Sequence, residues 1–260
     1  MAMHTQPRHT ALRRLLLYIP LLTPLTASAV SLGQIDNFSD GTLQGWQMGK
    51  VLVTNNHMTN IATGGPAGAN DNYLQVISHQ NETSSGNKIT FFNKQQWAGN
   101  YTSVGISTIS MDLKNFSSSA PLNLRLAING GHTDSASNFI GGLFATTASI
   151  TLTSGSDWTH AVFSLAPGDL TPVSGNSGTT GNDVNATLAN VLELRLLNSP
   201  TPDWTGSLVT ATMGVDNIAV VPLPAAAMLF ISGLIGLGGA AKCRRRTGDQ
   251  GSGNTQSGRG

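Results

Sequence analysis

Three stretches of this chain alternate apolar and polar residues with a period of two, and that pattern admits few folds. In Ile109-Ser110-Met111-Asp112-Leu113-Lys114, in Leu122-Asn123-Leu124-Arg125-Leu126-Ala127-Ile128 and in Leu192-Glu193-Leu194-Arg195-Leu196, every second residue is apolar. Such alternation puts one set of side chains on the buried face of a β-strand and the other on its outer face. Further strands are predicted over Trp46–Thr54, Tyr73–Ser78, Lys88–Phe92, Ser149–Thr153, Trp158–Leu165, Leu208–Thr212 and Val215–Val220. The connectors 63–72, 117–121, 130–138 and 167–185 are rich in Gly, Pro, Ser and Asn, residues that turns select. One short helix is predicted over Asn182–Asn190, capped by Asp183 or Asn182. Charged residues make up only 10% of the chain against 30 glycines, a balance that suits short strands and turns better than long solvent-facing helices. About ten short strands without a long helix point to an all-β, two-sheet antiparallel sandwich. No internal repeat of fixed period argues for a solenoid or propeller.

The charges are segregated. Between Val30 and Val221 stand six basic residues and twelve acidic ones, a net of −6, while the whole chain carries +1. The basic surplus is terminal: Arg8, Arg13 and Arg14 in front, Lys242, Arg244, Arg245, Arg246 and Arg259 behind. Nucleic acid is excluded as a partner on this count, since phosphate binding needs a Lys/Arg field on the folded domain. Cys243 is the only cysteine, so the fold is built without an intrachain disulfide.

Both ends read as targeting segments. Residues 1–29 join basic residues up to Arg14, an apolar stretch Leu15–Leu25, and Ala27-Ser28-Ala29, the three parts of a secretory signal cut by signal peptidase. At the other end Ala225–Ala241 is apolar and uncharged, long enough for a membrane helix of roughly 17–25 residues. Lys242 and Arg244–Arg246 follow it and hold that side in the cytoplasm under the positive-inside tendency. Residues 247–260 form a Gly/Ser-rich tail without the apolar content of a packed core.

Val221-Pro222-Leu223-Pro224, the Gly-rich apolar segment and the cluster Arg244-Arg245-Arg246 together resemble the PEP-CTERM sorting signal, here over 221–246. The resemblance implies recognition by an exosortase, transit through the inner membrane, and delivery of the outer domain to the cell surface or extracellular space. The tail beyond Arg246 departs from the usual pattern, which stops soon after the basic cluster.

Residues 30–220 read as one outer domain. Ile35-Asp36-Asn37-Phe38-Ser39-Asp40-Gly41, Asp157-Trp158-Thr159-His160-Ala161-Val162-Phe163 and the closing Val215-Asp216-Asn217-Ile218 resemble jelly-roll carbohydrate-binding modules and related galactose-binding-like domains. That resemblance implies that the first and last strands lie side by side with a structural calcium near them. Calcium takes six to eight oxygen ligands, and Asp36, Asp40, Asp71 and Asp216 are the carboxylates it would use. Ser39 stands where the family pattern often has an acid.

A sugar platform needs exposed aromatic faces beside planar polar groups. Trp97, Tyr101 and Trp204 sit in loop-like settings and are the ligand candidates, whereas Trp46 and Trp158 read as sandwich packing. Catalysis is not expected: His57, His79, His132 and His160 are scattered, and no metalloprotease helix motif, nucleophile elbow or phosphate loop occurs. The sequence therefore describes a non-enzymatic exported surface or matrix protein. A module tethering exopolysaccharide and a secreted glycan-active enzyme are the two alternatives.

Overall fold

The computed structural model describes Met1 and residues 29–49, 57–82, 84–175 and 181–221. The signal peptide up to Ser28 (Met1 apart), the sorting signal from Pro222 onward with its expected membrane helix 225–241, and the tail lie outside the described residues. Among the described residues no helix is long and apolar enough to cross a membrane.

Twelve strands among the described residues form two sheets. The first contains β1 (Ile35–Asp36), β2 (Met58–Ile61), β3 (Tyr73–Ser78), β5 (Thr108–Asn115), β9 (Thr159–Ser164) and β12 (Ala211–Val220), in the order β2-β3-β12-β5-β9 with β1 also on β12. The second contains β4 (Thr90–Asn93), β6 (Leu122–Thr133), β7 (Phe139–Thr146), β8 (Ile150–Leu152), β10 (Leu170–Pro172) and β11 (Val191–Asn198), in the order β10-β7-β6-β11-β4 with β8 on β6. Every pairing is antiparallel. Ile35 and Asp36 pair with Ala219 and Ile218, so the first and last strands are neighbours. Two short helices, α1 (Tyr101–Val104) and α2 (Val184–Ala189), complete the architecture.

The alternation sets the core. Leu74 and Val76, Ile109, Met111 and Leu113, and Met213 and Val215 point inward from the first sheet and are buried. They meet Leu122, Leu124, Leu126 and Ile128, Leu194 and Leu196, and Phe91 from the second. Burying such side chains contributes about 1.5–3 kcal/mol each before the entropy of ordering them is set against it. A smaller cluster of Ala127, Leu143, Ala145, Leu197 and Trp204 lies apart from this core, with Val173 packed on it. Arg125 is buried too, and its guanidinium donates to the carbonyls of Ser199, Thr146, Thr147 and Pro200. Four acceptors answer a cation that would otherwise be costly to bury.

The predicted helix forms as α2: Asp183 caps it, its carboxylate accepting from the Ala186 amide at 2.9 Å. One predicted break is continuous strand, and one predicted connector is partly strand. The sequence pattern separates Leu208–Thr212 from Val215–Val220, yet β12 runs unbroken through Gly214 from Ala211. The expected loop 130–138 starts later than the composition suggests: residues 130–133 belong to β6, where Gly130 and Gly131 lie opposite Gly142 and Gly141 in β7, and the turn itself spans residues 134–138. A Cβ on Gly130 would stand 2.5 Å from Asn190 O, and one on Gly142 2.2 Å from Gly181 O. These glycines admit close backbone approach and do not mark a turn. Of the strand expected over 46–54, residues 50–54 lie outside the described residues, and Gln47 makes a single bridge to Phe92.

Candidate functional site

The outer face of the first sheet carries the most distinctive grouping of side chains. Since Ile109, Met111 and Leu113 face the core, Ser110, Asp112 and Lys114 face outward, and the same parity continued past the strand places Phe116 outward. On β9, Ala161 and Phe163 are buried, which turns His160 and, just before the strand, Trp158 outward. On β3 the parity that buries Leu74 and Val76 sends Tyr73 to the outer side. Register aligns these rows: Lys114 lies opposite Gly214 and Gly214 opposite Gln75, while Asp112 lies opposite both Asp216 and His160.

Three aromatic rings gather over Gly214. Tyr73 and Phe116 stack with centroids 5.7 Å apart and planes at 29°; Trp158 meets Tyr73 edge-on at 5.3 Å and Phe116 edge-on at 6.3 Å. Tyr73 is buried beneath the others, Trp158 is partly exposed, and Phe116 is 38% exposed. The Trp158 indole N–H donates to Gly64 O over 3.0 Å, which fixes its orientation. Gly64 belongs to a tight loop, its amide bonded to Gly68 O, the Gly65 amide to Asp71 O, and the Ala67 amide to the Asp71 carboxylate at 2.6 Å. The Gly-rich stretch thus serves as the ledge on which the tryptophan is hung.

Polar groups rim the rings. Lys114 Nζ lies 3.0 Å from Asp157 Oδ1 and 5.2 Å from the Phe116 centroid. The Lys114 bond and the Trp158 amide hold the Asp157 carboxyl below the usual carboxylate range. His160 Nδ1 is 2.8 Å from Asp112 Oδ1, and Asp112 Oδ2 accepts from Asn217 Nδ2 at 2.9 Å. Asp216 is fully buried: Oδ1 accepts from the Asn217 amide at 2.7 Å, and Oδ2 has no partner among the described residues. Burial, aided by the negative charges of Asp71 and Asp112, pushes the Asp216 carboxyl up to about 7.

The ligand candidates expected from sequence stand elsewhere. Trp97 and Tyr101 are 0% exposed and belong to the main core, and Trp204 is 4% exposed in the smaller cluster. Trp204 packs with the Arg195 guanidinium 3.8 Å from its ring, and Tyr101 donates to Trp97 O over 2.8 Å. Loop position misleads here because each ring folds back onto a sheet. Trp46 is core as expected, at 2%, but Trp158 faces outward. Strand parity carries that signal for Trp158 and Phe116 alike.

Nor do the four expected calcium ligands form one donor set. Asp36 Oδ2 already accepts from Trp46 Nε1 at 2.7 Å, Trp97 Nε1 at 2.6 Å and Gln96 Nε2 at 3.3 Å. Asp40 is exposed and holds the turn at Thr42 through its amide and hydroxyl. Asp71 and Asp216 share one neighbourhood, and Asp36 and Asp40 another. Among the described residues, no group of three or more His, Cys, Asp or Glu is placed to hold a metal. Of the sorting motif, Val221 is described, its amide bonded to Thr108 O at 3.2 Å; Pro222, Leu223, Pro224, Arg244, Arg245 and Arg246 lie outside the described residues.

No protein-family model matches the chain, and no curated protein does. Among solved structures the chain is similar to an exo-β-agarase (TM-score 0.48, 14% identity), covering 75% of this chain and 25% of that one, so it spans a quarter of the agarase's length. It is also similar to a family 11 carbohydrate-binding module from Clostridium thermocellum solved with a β-1,3-1,4-mixed-linked tetrasaccharide (TM-score 0.42, 13% identity, 74% of this chain and 99% of that one). A third is the CBM22-1 xylan-binding domain of Paenibacillus barcinonensis Xyn10C (TM-score 0.40, 15% identity, 75% and 100%).

Proposed function

We propose that the outer domain is a non-catalytic glycan-binding module, exported through its signal peptide and sorted at residues 221–246 by an exosortase to the cell surface or matrix. The observation that carries the binding reading is the Trp158–Phe116–Tyr73 group on the outer sheet face, with polar side chains at its rim. An apolar ring face flanked by fixed hydrogen-bonding groups suits a pyranose, which offers C–H bonds on one side and hydroxyls around its edge. Because Trp158 is tethered to Gly64 O, little side-chain freedom is lost on binding. Asp157, Lys114, His160 and Asp112 are the rim groups that would take hydroxyls.

The proposal gives this face no hydrolytic step. A carboxyl with a raised pKa beside ionised carboxylates is the pairing glycosidases use, but Asp216 is fully buried and out of reach of a bound sugar's glycosidic oxygen. Structural calcium enters the proposal only at Asp71 and Asp216, where it would give Asp216 Oδ2 the partner it lacks; its role there is to brace the final strand.

Retention of the secreted protein on a polysaccharide array, compared with Trp158→Ala, tests the binding reading. Loss of an anchoring aromatic should weaken binding by about 2 kcal/mol, roughly thirtyfold, with circular dichroism unchanged. Wild-type protein that binds no glycan, or a variant that binds equally well, overturns it. The sorting part is read from intact mass in hosts with and without an exosortase: a C-terminus uncut in both removes it.

A further inference from the structure

We infer that the glycan held on this face carries free amino groups. The inference rests on the glycan-binding reading and adds the charge of the ligand to it. Around the aromatic group stand Asp71, Asp112, Asp157 and Asp216 against Lys114 and His160. Lys114 is already paired with Asp157, and His160 with Asp112, so neither basic group is left unpaired for a ligand.

The acceptors are in the opposite condition. Asp112 has both oxygens engaged, by His160 and Asn217. Asp157 uses Oδ1 for both Lys114 Nζ and the Trp158 amide, its side chain is 89% exposed, and Oδ2 has no partner among the described residues. Asp157 is also the residue immediately before Trp158. A free carboxylate oxygen therefore lies at the edge of the ring on which a sugar would stack. Asp216, on the same sheet face, is buried, and its Oδ2 is also unpartnered among the described residues.

A hexosamine residue whose C–H face covers Trp158 presents its substituents around the ring edge. A protonated amine there meets Asp157 Oδ2 as a charge-assisted hydrogen bond. An N-acetylated residue brings no charge to that oxygen, and a uronate brings a like charge into a field that is already negative. The net of −6 between Val30 and Val221 adds a long-range attraction of the same sign.

The test compares the secreted protein's affinity for chitosan, a soluble chitin oligosaccharide and alginate at mildly acidic pH, where the sugar amines are charged. Chitosan should bind best and alginate not at all. Asp157→Asn should weaken chitosan binding about twofold to fivefold, the range of a solvent-exposed ion pair, and weaken chitin binding, where only a neutral hydroxyl contact is lost, by less. Trp158→Ala should remove binding of both. Equal affinity for chitosan and chitin, or binding of alginate, overturns the amine inference and leaves the glycan-binding reading standing. Chitosan binding that survives Trp158→Ala overturns it too, as unspecific attraction between a polycation and an acidic protein. Binding of no glycan removes both readings.

Discussion

The Trp97 indole N–H donates to Asp36 Oδ2 over 2.6 Å inside the sandwich, and the same oxygen accepts the Trp46 indole at 2.7 Å. Asp36 is 4% exposed, Trp46 2% and Trp97 0%. One carboxylate on β1 thereby satisfies the only polar side-chain atoms of two large core residues and ties the first strand to the loop before α1. Asp36→Ala should leave two buried indole donors unpaired, at about 1–3 kcal/mol each. Trp97→Phe removes one donor together with part of its ring and leaves Trp46 and Gln96 on the oxygen, so its loss should be the smaller. Chemical denaturation of the two variants checks the order; an Asp36→Ala protein as stable as wild type would remove the pairing from any account of the fold.

Asp216 gives the domain a pH dependence whose sign follows from its raised pKa. The unfolded carboxyl titrates at the usual 3.8 and the folded one at about 7, so the native state holds the extra proton between these values. The contribution of this group to stability is greatest below about pH 4, declines as pH rises toward 7, and levels off above it. Asp216→Asn should abolish this decline and be the more stable protein above neutrality. The difference is about 2–4 kcal/mol, since each tenfold change in a protonation equilibrium is worth about 1.4 kcal/mol. Thermal unfolding from pH 4 to 8 in the presence of a chelator measures it. A wild-type protein whose stability rises over that range would show that Asp216 is ionised and partnered in solution.

Much of the sandwich is legible in the sequence because alternation is a direct imprint of a half-buried sheet. The strand predicted over Tyr73–Ser78 matches β3 to the residue, and Ile109–Lys114 falls within β5. Structure made by contacts distant in sequence is not legible in this way. Gly130, Gly131, Gly141 and Gly142 have the composition of turns, and only the approach of Asn190 and Gly181 explains why two of them must lack side chains. β7, with Gly141 and Gly142 in its first half, is hidden from the pattern for the same reason.

The candidate site is obscured in a different way. Loop-like neighbours point Trp97, Tyr101 and Trp204 toward a ligand, yet a tryptophan in a loop still has a large apolar surface to bury, and each ring finds a sheet to cover. Trp158 and Phe116 continue the outward parity of β9 and β5 beyond the strand ends. Parity, extended a residue or two past each strand, is a better guide than loop composition.

Gly214→Ala isolates the aromatic group from the rest of the fold. A Cβ at Gly214 would stand 2.7 Å from Trp158 Cη2 and 3.0 Å from Phe116 Cε2, closer than carbon atoms pack. The strand itself accommodates alanine, since Gly214 is not among the residues with positive φ. The rings must therefore lift, and Trp158 cannot do so without lengthening its bond to Gly64 O. Glycan affinity should fall about tenfold or more, as expected when an anchoring aromatic loses its seat. The global fold should change by only about 1–3 kcal/mol, the usual cost of overpacking. Trp204→Ala should behave in the opposite way. It empties the smaller core cluster and exposes the Arg195 stack, costing about 3–5 kcal/mol, while ligand binding by the folded fraction stays intact. Measuring both variants by thermal unfolding and by glycan retention separates platform from core; if Trp204→Ala loses binding without losing stability, the ligand lies on the second sheet and the platform has been placed on the wrong face.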